Sequence, residues 1–164
     1  MLDTLVEKIN KHGGIQYVEM KNDEGVICNR HTRIPQIIVT LEEYFERLPD
    51  PFNKEIGLRV FAANAVHFTD AEFYELFKSF RGKETVQGVW IELVHYDPRE
   101  EEYPYSDICY ISTIAEEDEI KEWFGNKSCP SDITICEDAE FEELHLMGLP
   151  PIKDGYTLYY CWWD

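Results

Sequence analysis

The sequence predicts a single α+β domain over residues 1–164: a mainly antiparallel sheet built on a central long hairpin, with three to four helices packed against it. Three observations carry this. Residues 86–96 and 106–114 are runs rich in β-branched and aromatic side chains, and the polar connection 97–105 between them makes a β-hairpin. Thr69 and Glu72 have the spacing of a capping box, and Phe73, Leu76, Phe77 and Phe80 follow at i, i+3, i+4 and i+7, one face of a helix. Residues 156–163 form a strongly aromatic run that ends the chain as a strand.

Taken in order, Leu2, Leu5, Val6 and Ile9 repeat at helical spacing, and Gly13 and Gly14 end a helix over residues 2–12. Residues 15–20 and 25–28 read as two short strands joined by a turn at 21–24. Pro35 interrupts the apolar stretch 34–40, which suits an extended segment or an edge strand. Thr40 with Glu43 is a capping box for a short helix over 41–48, ended by Pro49 and Pro51. The run 58–66, with Arg59 and Asn64, fits strand and helix alike, and the helix announced by Thr69 ends at Gly82.

In the first hairpin strand Val89, Ile91 and Leu93 share one face and Trp90, Val94 and Tyr96 the other, with Glu92 the lone charge between them. A strand covered on both faces belongs in mid-sheet. After the hairpin, Thr113 and Glu116 repeat the capping spacing ahead of an acidic helix whose buried stripe is Ile120, Trp123 and Phe124 and whose stop is Gly125 with Asn126. Residues 132–136 read as a short strand, 137–144 as an acidic helical segment and 148–151 as a break.

Length and composition bound the function. At 164 residues and 44% hydrophobic content the chain supports one core. It has no apolar run of the roughly 20 residues that cross a bilayer and no secretion signal at the N-terminus, so the expectation is a cytoplasmic protein with reduced thiols. Its 33 acidic and 15 basic residues give a formal charge of −18. The imbalance is uneven: residues 84–164 hold 20 Asp and Glu against 4 Lys and Arg. Such a field repels nucleic acid and anionic membrane and draws in a basic partner; the alternative reading is solubility alone.

Thr40 to Phe45, the Trp90 strand, Tyr103 to Asp107 leading into Ile108 to Ile111, and the terminal Cys161 to Asp164 resemble a family of small uncharacterised bacterial proteins. Its members look like acidic α+β proteins encoded beside polymorphic toxins, where they serve as cognate immunity proteins. The resemblance implies a toxin inhibitor acting by protein–protein interaction. Its motifs are aromatic and structural, so no catalytic residue is carried over.

The residues themselves specify no reaction. Cys28 and His31 are spaced as metal ligands, but Cys129 and Cys136 do not make the second close pair that a zinc site needs. Structural cysteines are the simpler reading, with no metal and no cofactor. Cys109 and His95 meet across the hairpin only in one register, and neither sits on an elbow or helix start that would activate a thiol. Glu92, if buried, would have a raised pKa. The densest acidic clusters are Glu100, Glu101 and Glu102 beside Tyr103 and Tyr105, and Glu116, Glu117, Asp118 and Glu119. Tyrosines beside carboxylates suit docking into an Arg/Lys-rich cleft such as that of a nuclease, so these nine residues are the candidate partner-binding set, at the two ends of the hairpin region and able to form one surface. The expectation is a non-enzymatic inhibitory protein that binds a basic toxin. The alternative is a small enzyme or metal-dependent domain in which Glu92, His95 and Cys109 converge.

Overall fold

The computed structural model describes residues 2–46, 60–65, 67–100 and 103–164. Helix α1 (Leu2–Lys11) leads to a hairpin of β1 (Gln16–Lys21) and β2 (Ile27–Arg33). Then follow β3 (Ile37–Thr40), α2 (Leu41–Phe45), α3 (Asp70–Arg81), β4 (Val86–Leu93), a 3-10 turn at Pro98–Glu100, β5 (Ile108–Thr113), α4 (Glu117–Ser128), β6 (Asp132–Ile135), α5 (Asp138–Leu146) and β7 (Thr157–Trp162). The fold is α+β, as predicted, with five α-helices among the described residues and two antiparallel sheets.

The five-stranded sheet runs β3-β4-β5-β7-β6, so the predicted hairpin is central and β3 is an edge. Register places Trp90 opposite Tyr110 and Glu92 opposite Ile108, while β7 pairs Tyr160 with Tyr110. A side-chain period of two then sorts the sheet into two cores. One face carries Val39, Ile91, Leu93, Cys109, Ile111, Tyr159 and Cys161 against α1 to α4. The other carries Ile38, Trp90, Ile108, Tyr110 and Leu158 against α5 and the segment behind it. Trp90 lies over Gly88: a Cβ there would sit 2.3 Å from the indole, so the ring needs a residue without one.

Both threonine capping boxes ahead of α2 and α3 form. Thr40 Oγ1 accepts from the Glu43 N–H at 3.2 Å, and Thr69 Oγ1 from that of Glu72 at 3.2 Å. The third does not. Thr113 belongs to β5, its hydroxyl donates to the Thr85 carbonyl at 2.8 Å and accepts from the Ala115 N–H at 3.0 Å, and the cap of α4 is Glu116. Gly125 leaves the helical region at φ 66° as expected, but the chain resumes a turn to Ser128 beyond this kink. Of the ambiguous run 58–66, residues 60–65 are neither helix nor strand: Phe61 bridges Ser106 and Ala62 turns away with φ 44°. The helix end at 47–48, Pro49 and Pro51 lie outside the described residues.

The β1–β2 pair forms its own sheet. The Thr32 hydroxyl donates to the Tyr96 carbonyl at 3.0 Å, and the Arg99 guanidinium sits 4.3 Å from the Tyr17 ring centroid, joining this pair to the main body. Trp163 is buried, its indole N–H donating to the Ser128 carbonyl at 3.0 Å, which confirms the packing role expected of the C-terminal aromatic run.

Candidate functional site

Glu92 is the only charged side chain on the interior of either central strand, and it is 3% exposed. Strand parity turns it to the α5 face, away from the core that holds Ile91 and Leu93. Its oxygens accept from two neutral donors, the Tyr110 hydroxyl at 2.7 Å and the Gln36 amide at 2.8 Å. Burial pushes its carboxyl above the usual range; these hydrogen bonds oppose that shift and nearby Asp107 adds to it.

A cavity of about 430 Å³ opens over this carboxylate. Topology explains it. Helix α5 starts beyond edge strand β6 and crosses the sheet to the opposite edge, where the Met147 carbonyl accepts from the Ile38 N–H at 2.9 Å. Leu144 is buried on the sheet, but Glu140 and Glu143 occupy positions of the same i, i+3, i+4, i+7 row that runs on to Met147, so the helix cannot seal the face. Ile108, Tyr110 and Tyr160 form the sheet side, and Thr134, Ile135 and Cys136 the β6 side. Burial pushes the Tyr160 hydroxyl and the Cys136 thiol each up to about 12, so both are neutral at physiological pH and the carboxylates dominate the charge.

The arrangement makes a pH-dependent prediction. Folding favours protonated Glu92, because its folded pKa lies above its unfolded one; the stability linked to that proton is lost as pH rises from the usual carboxylate range through the raised value. The groups near it are Tyr110 and Tyr160 on the sheet, Asp107 just before β5, Cys136 after β6, and Glu140 and Glu143 on α5, all neutral or acidic. Glu92→Gln is therefore expected to gain stability relative to the native chain across that window. Urea midpoints of the two proteins between about pH 4 and 8 check it; a constant difference would sink the assignment.

The structure does not assemble the enzyme-like trio. Cys109 pairs with Ile91 and is fully buried in the opposite core, its thiol pushed well above its ordinary value by burial. His95 bridges Tyr105 instead. All five cysteines are free thiols; Cys28 and Cys129 are exposed. Among the described residues no three His, Cys, Asp or Glu side chains gather in a metal-binding group. No helix among them is long and apolar enough to cross a membrane.

The predicted partner-binding residues are described only in part. Glu100 ends the 3-10 turn, Glu101 and Glu102 lie outside the described residues, and Tyr103 and Tyr105 are half-buried before β5. Tyr103 packs against the helix-side core. Glu116, Glu117, Asp118 and Glu119 come after β5, so six strand residues, about 20 Å, lie between them and the described Tyr105. Glu117 also pairs with Lys121 at 2.5 Å. The cavity lies at the hairpin-connection end, because Glu92 and Ile108 are the last pair of the β4–β5 ladder, with only the His95–Tyr105 bridge beyond them. Of the cavity lining, the sequence pointed to Glu92 as a lone charge and to Cys136 only as a metal ligand it does not become; the glutamates within the 140, 143, 144, 147 row were a usable signal.

The chain matches the family model described as "Uncharacterized protein YfbO family" over residues 2–161. It is 23% identical over 149 residues to "Uncharacterized protein YfbO" of Escherichia coli (strain K12), an alignment covering 89% of this chain and 94% of that protein. No solved structure matches.

Proposed function

We propose that this chain, which belongs to the YfbO family, is a binding protein that captures a basic protein partner through the carboxylates of its C-terminal half, in the manner of an immunity protein neutralising a basic, nuclease-like toxin. The observation that supports the reading is the coincidence of charge and shape at one end of the sheet. A concave site containing Glu92, Glu140 and Glu143 adjoins the connection that carries Glu100, Glu101 and Glu102, in a half-chain with 20 acidic residues and 4 basic ones. Like charge at that density excludes a polyanion and attracts a cationic surface before contact.

Co-expression with the product of the neighbouring reading frame, followed by co-purification and rate measurements at several salt concentrations, tests this. A complex whose association slows steeply with salt is expected, and recovery of the chain alone would overturn the reading. Within such a complex, reversing Glu100, Glu101 and Glu102 to lysine should slow association roughly tenfold or more and flatten its salt dependence. Tyr105→Ala should mainly accelerate dissociation. Reversal of Glu116, Asp118 and Glu119, at the far end of β5, should have the smaller effect on association. The opposite order would move the interface to the start of α4.

A further inference from the structure

The cavity over Glu92 combines one buried carboxylate, two acidic side chains at its helical wall, neutral polar groups from Gln36, Tyr110, Thr134 and Tyr160, and an apolar part from Ile108, Leu144 and Met147. Among the described residues its lining includes no lysine, arginine or histidine. Glu92 is not an idle core residue: at 3% exposure it is hydrogen-bonded only by neutral donors, so its ionised form is uncompensated by any cation there. One of those donors is replaceable. Gln36 is exposed and lies just before edge strand β3, so its amide can swing out and leave one Glu92 oxygen to an incoming N–H group. The space of about 430 Å³ is at the small end of ligand sites and suits one long side chain. Leu144, Met147 and Ile108 offer apolar contact to a methylene stem, and Met adapts its shape to what it meets.

From these features we propose that the cavity is the socket for an arginine side chain of the basic partner, its guanidinium donating to Glu92 in place of Gln36 and its stem lying along Leu144 and Met147. This rests on the partner reading above and adds to it which residue type is read and where. Arginine fits better than lysine because a planar fork satisfies carboxylates on two sides at once, at Glu92 below and at Glu140 or Glu143 on the wall, and sheds its hydration more readily. A phosphate or carboxylate ligand is disfavoured by all three glutamates.

The test titrates N-acetyl-arginine amide into the full chain and follows the Met147 methyl signal, with N-acetyl-citrulline amide as the neutral match in shape. Saturable shifts at Met147 with the arginine probe and none with citrulline are expected. Glu92→Gln should weaken binding by about tenfold or more, and Thr134→Trp, a substitution at an exposed edge position lining the cavity, should abolish it. Because Thr134 is exposed on edge strand β6 and its hydroxyl donates to Asp132 rather than Glu92, that variant stays informative if Glu92→Gln alters the fold. No saturable shift, equal binding of citrulline, or unchanged affinity in both variants would overturn the socket. A partner that co-purifies equally with Thr134→Trp also overturns it while leaving the partner reading intact. Arginine-amide binding without any co-purifying protein upholds the socket and removes only the partner reading.

Discussion

Phe77→Ala is expected to destabilise the protein by about 3–5 kcal/mol, on the order of a 10 °C fall in Tm for a chain of this size. The ring is fully buried at the centre of the helix-side core. It meets Phe61 edge-on at 5.4 Å and Phe73 at 5.7 Å, and lies 6.1 Å from both Phe45 and Trp163. Removing it deletes apolar contact with five aromatic neighbours, these four and Phe80 at 6.2 Å, drawn from α2, α3, the segment before α3 and the C-terminus. Rigid rings on separate elements cannot collapse into the space, so the cost includes a cavity as well as lost transfer energy. Phe77→Leu, which fills most of the volume, should recover more than half of the loss. Thermal melts of the three proteins check this, and a near-native midpoint for the alanine variant would show that the core is not closed around this ring.

Asp70→Ala should cost about 3–5 kcal/mol through a different mechanism. Asp70 is the first residue of α3 and is wholly buried, with its carboxylate accepting from the Val60 N–H at 3.1 Å and the Phe61 N–H at 2.9 Å. The position is favourable for a negative charge because the helix presents its positive end there. Alanine leaves two N–H groups of a buried, non-repetitive segment without these acceptors, each loss worth about 1–3 kcal/mol. Asp70→Asn keeps one acceptor oxygen and should fall between. Urea denaturation with unchanged m-values would report the order Asp, Asn, Ala; an alanine variant within about 0.5 kcal/mol of native would mean that 60–61 is not held by this side chain.

Phe77 was legible in the sequence and Asp70 was not, and the difference is physical. A helical stripe is a local periodicity, so Phe73, Phe77 and Phe80 declare a buried face whatever they pack against. A buried carboxylate serving a segment ten residues upstream shows no period, and within its capping box Asp70 looks like any acidic first-turn residue. The three threonine boxes make the same point. Thr40 and Thr69 precede helices that start at once, whereas Thr113 is claimed by its strand and by the Thr85 carbonyl, a partner 28 residues away.

Glu92 divides the same way. As a lone charge in an apolar strand it is noticeable, and the ordinary place of such a glutamate is a solvated sheet edge or beside a Lys or Arg partner. The fold realises neither, because β7 and β6 pair beyond β5 and β3 beyond β4, placing Glu92 inside the sheet. The convergence with His95 and Cys109 that the enzyme alternative requires fails on parity and register: Cys109 faces the other core and His95 is opposite Tyr105. A one-residue change in pairing would have reversed the face, and nothing local sets that choice.

By itself the sequence determined the α+β class, the central hairpin, the two threonine-capped helices and the acidic C-terminal half, since each depends on period, capping chemistry or composition within a short window. Only the tertiary structure decided that the β1–β2 pair stands apart, that Glu92 faces the α5 side of the sheet, and that α5 crosses the sheet with Glu140 and Glu143 over Glu92. Those facts depend on which strands become neighbours, and strand order arises from contacts between residues far apart in the chain, where burial of whole faces outweighs any local preference.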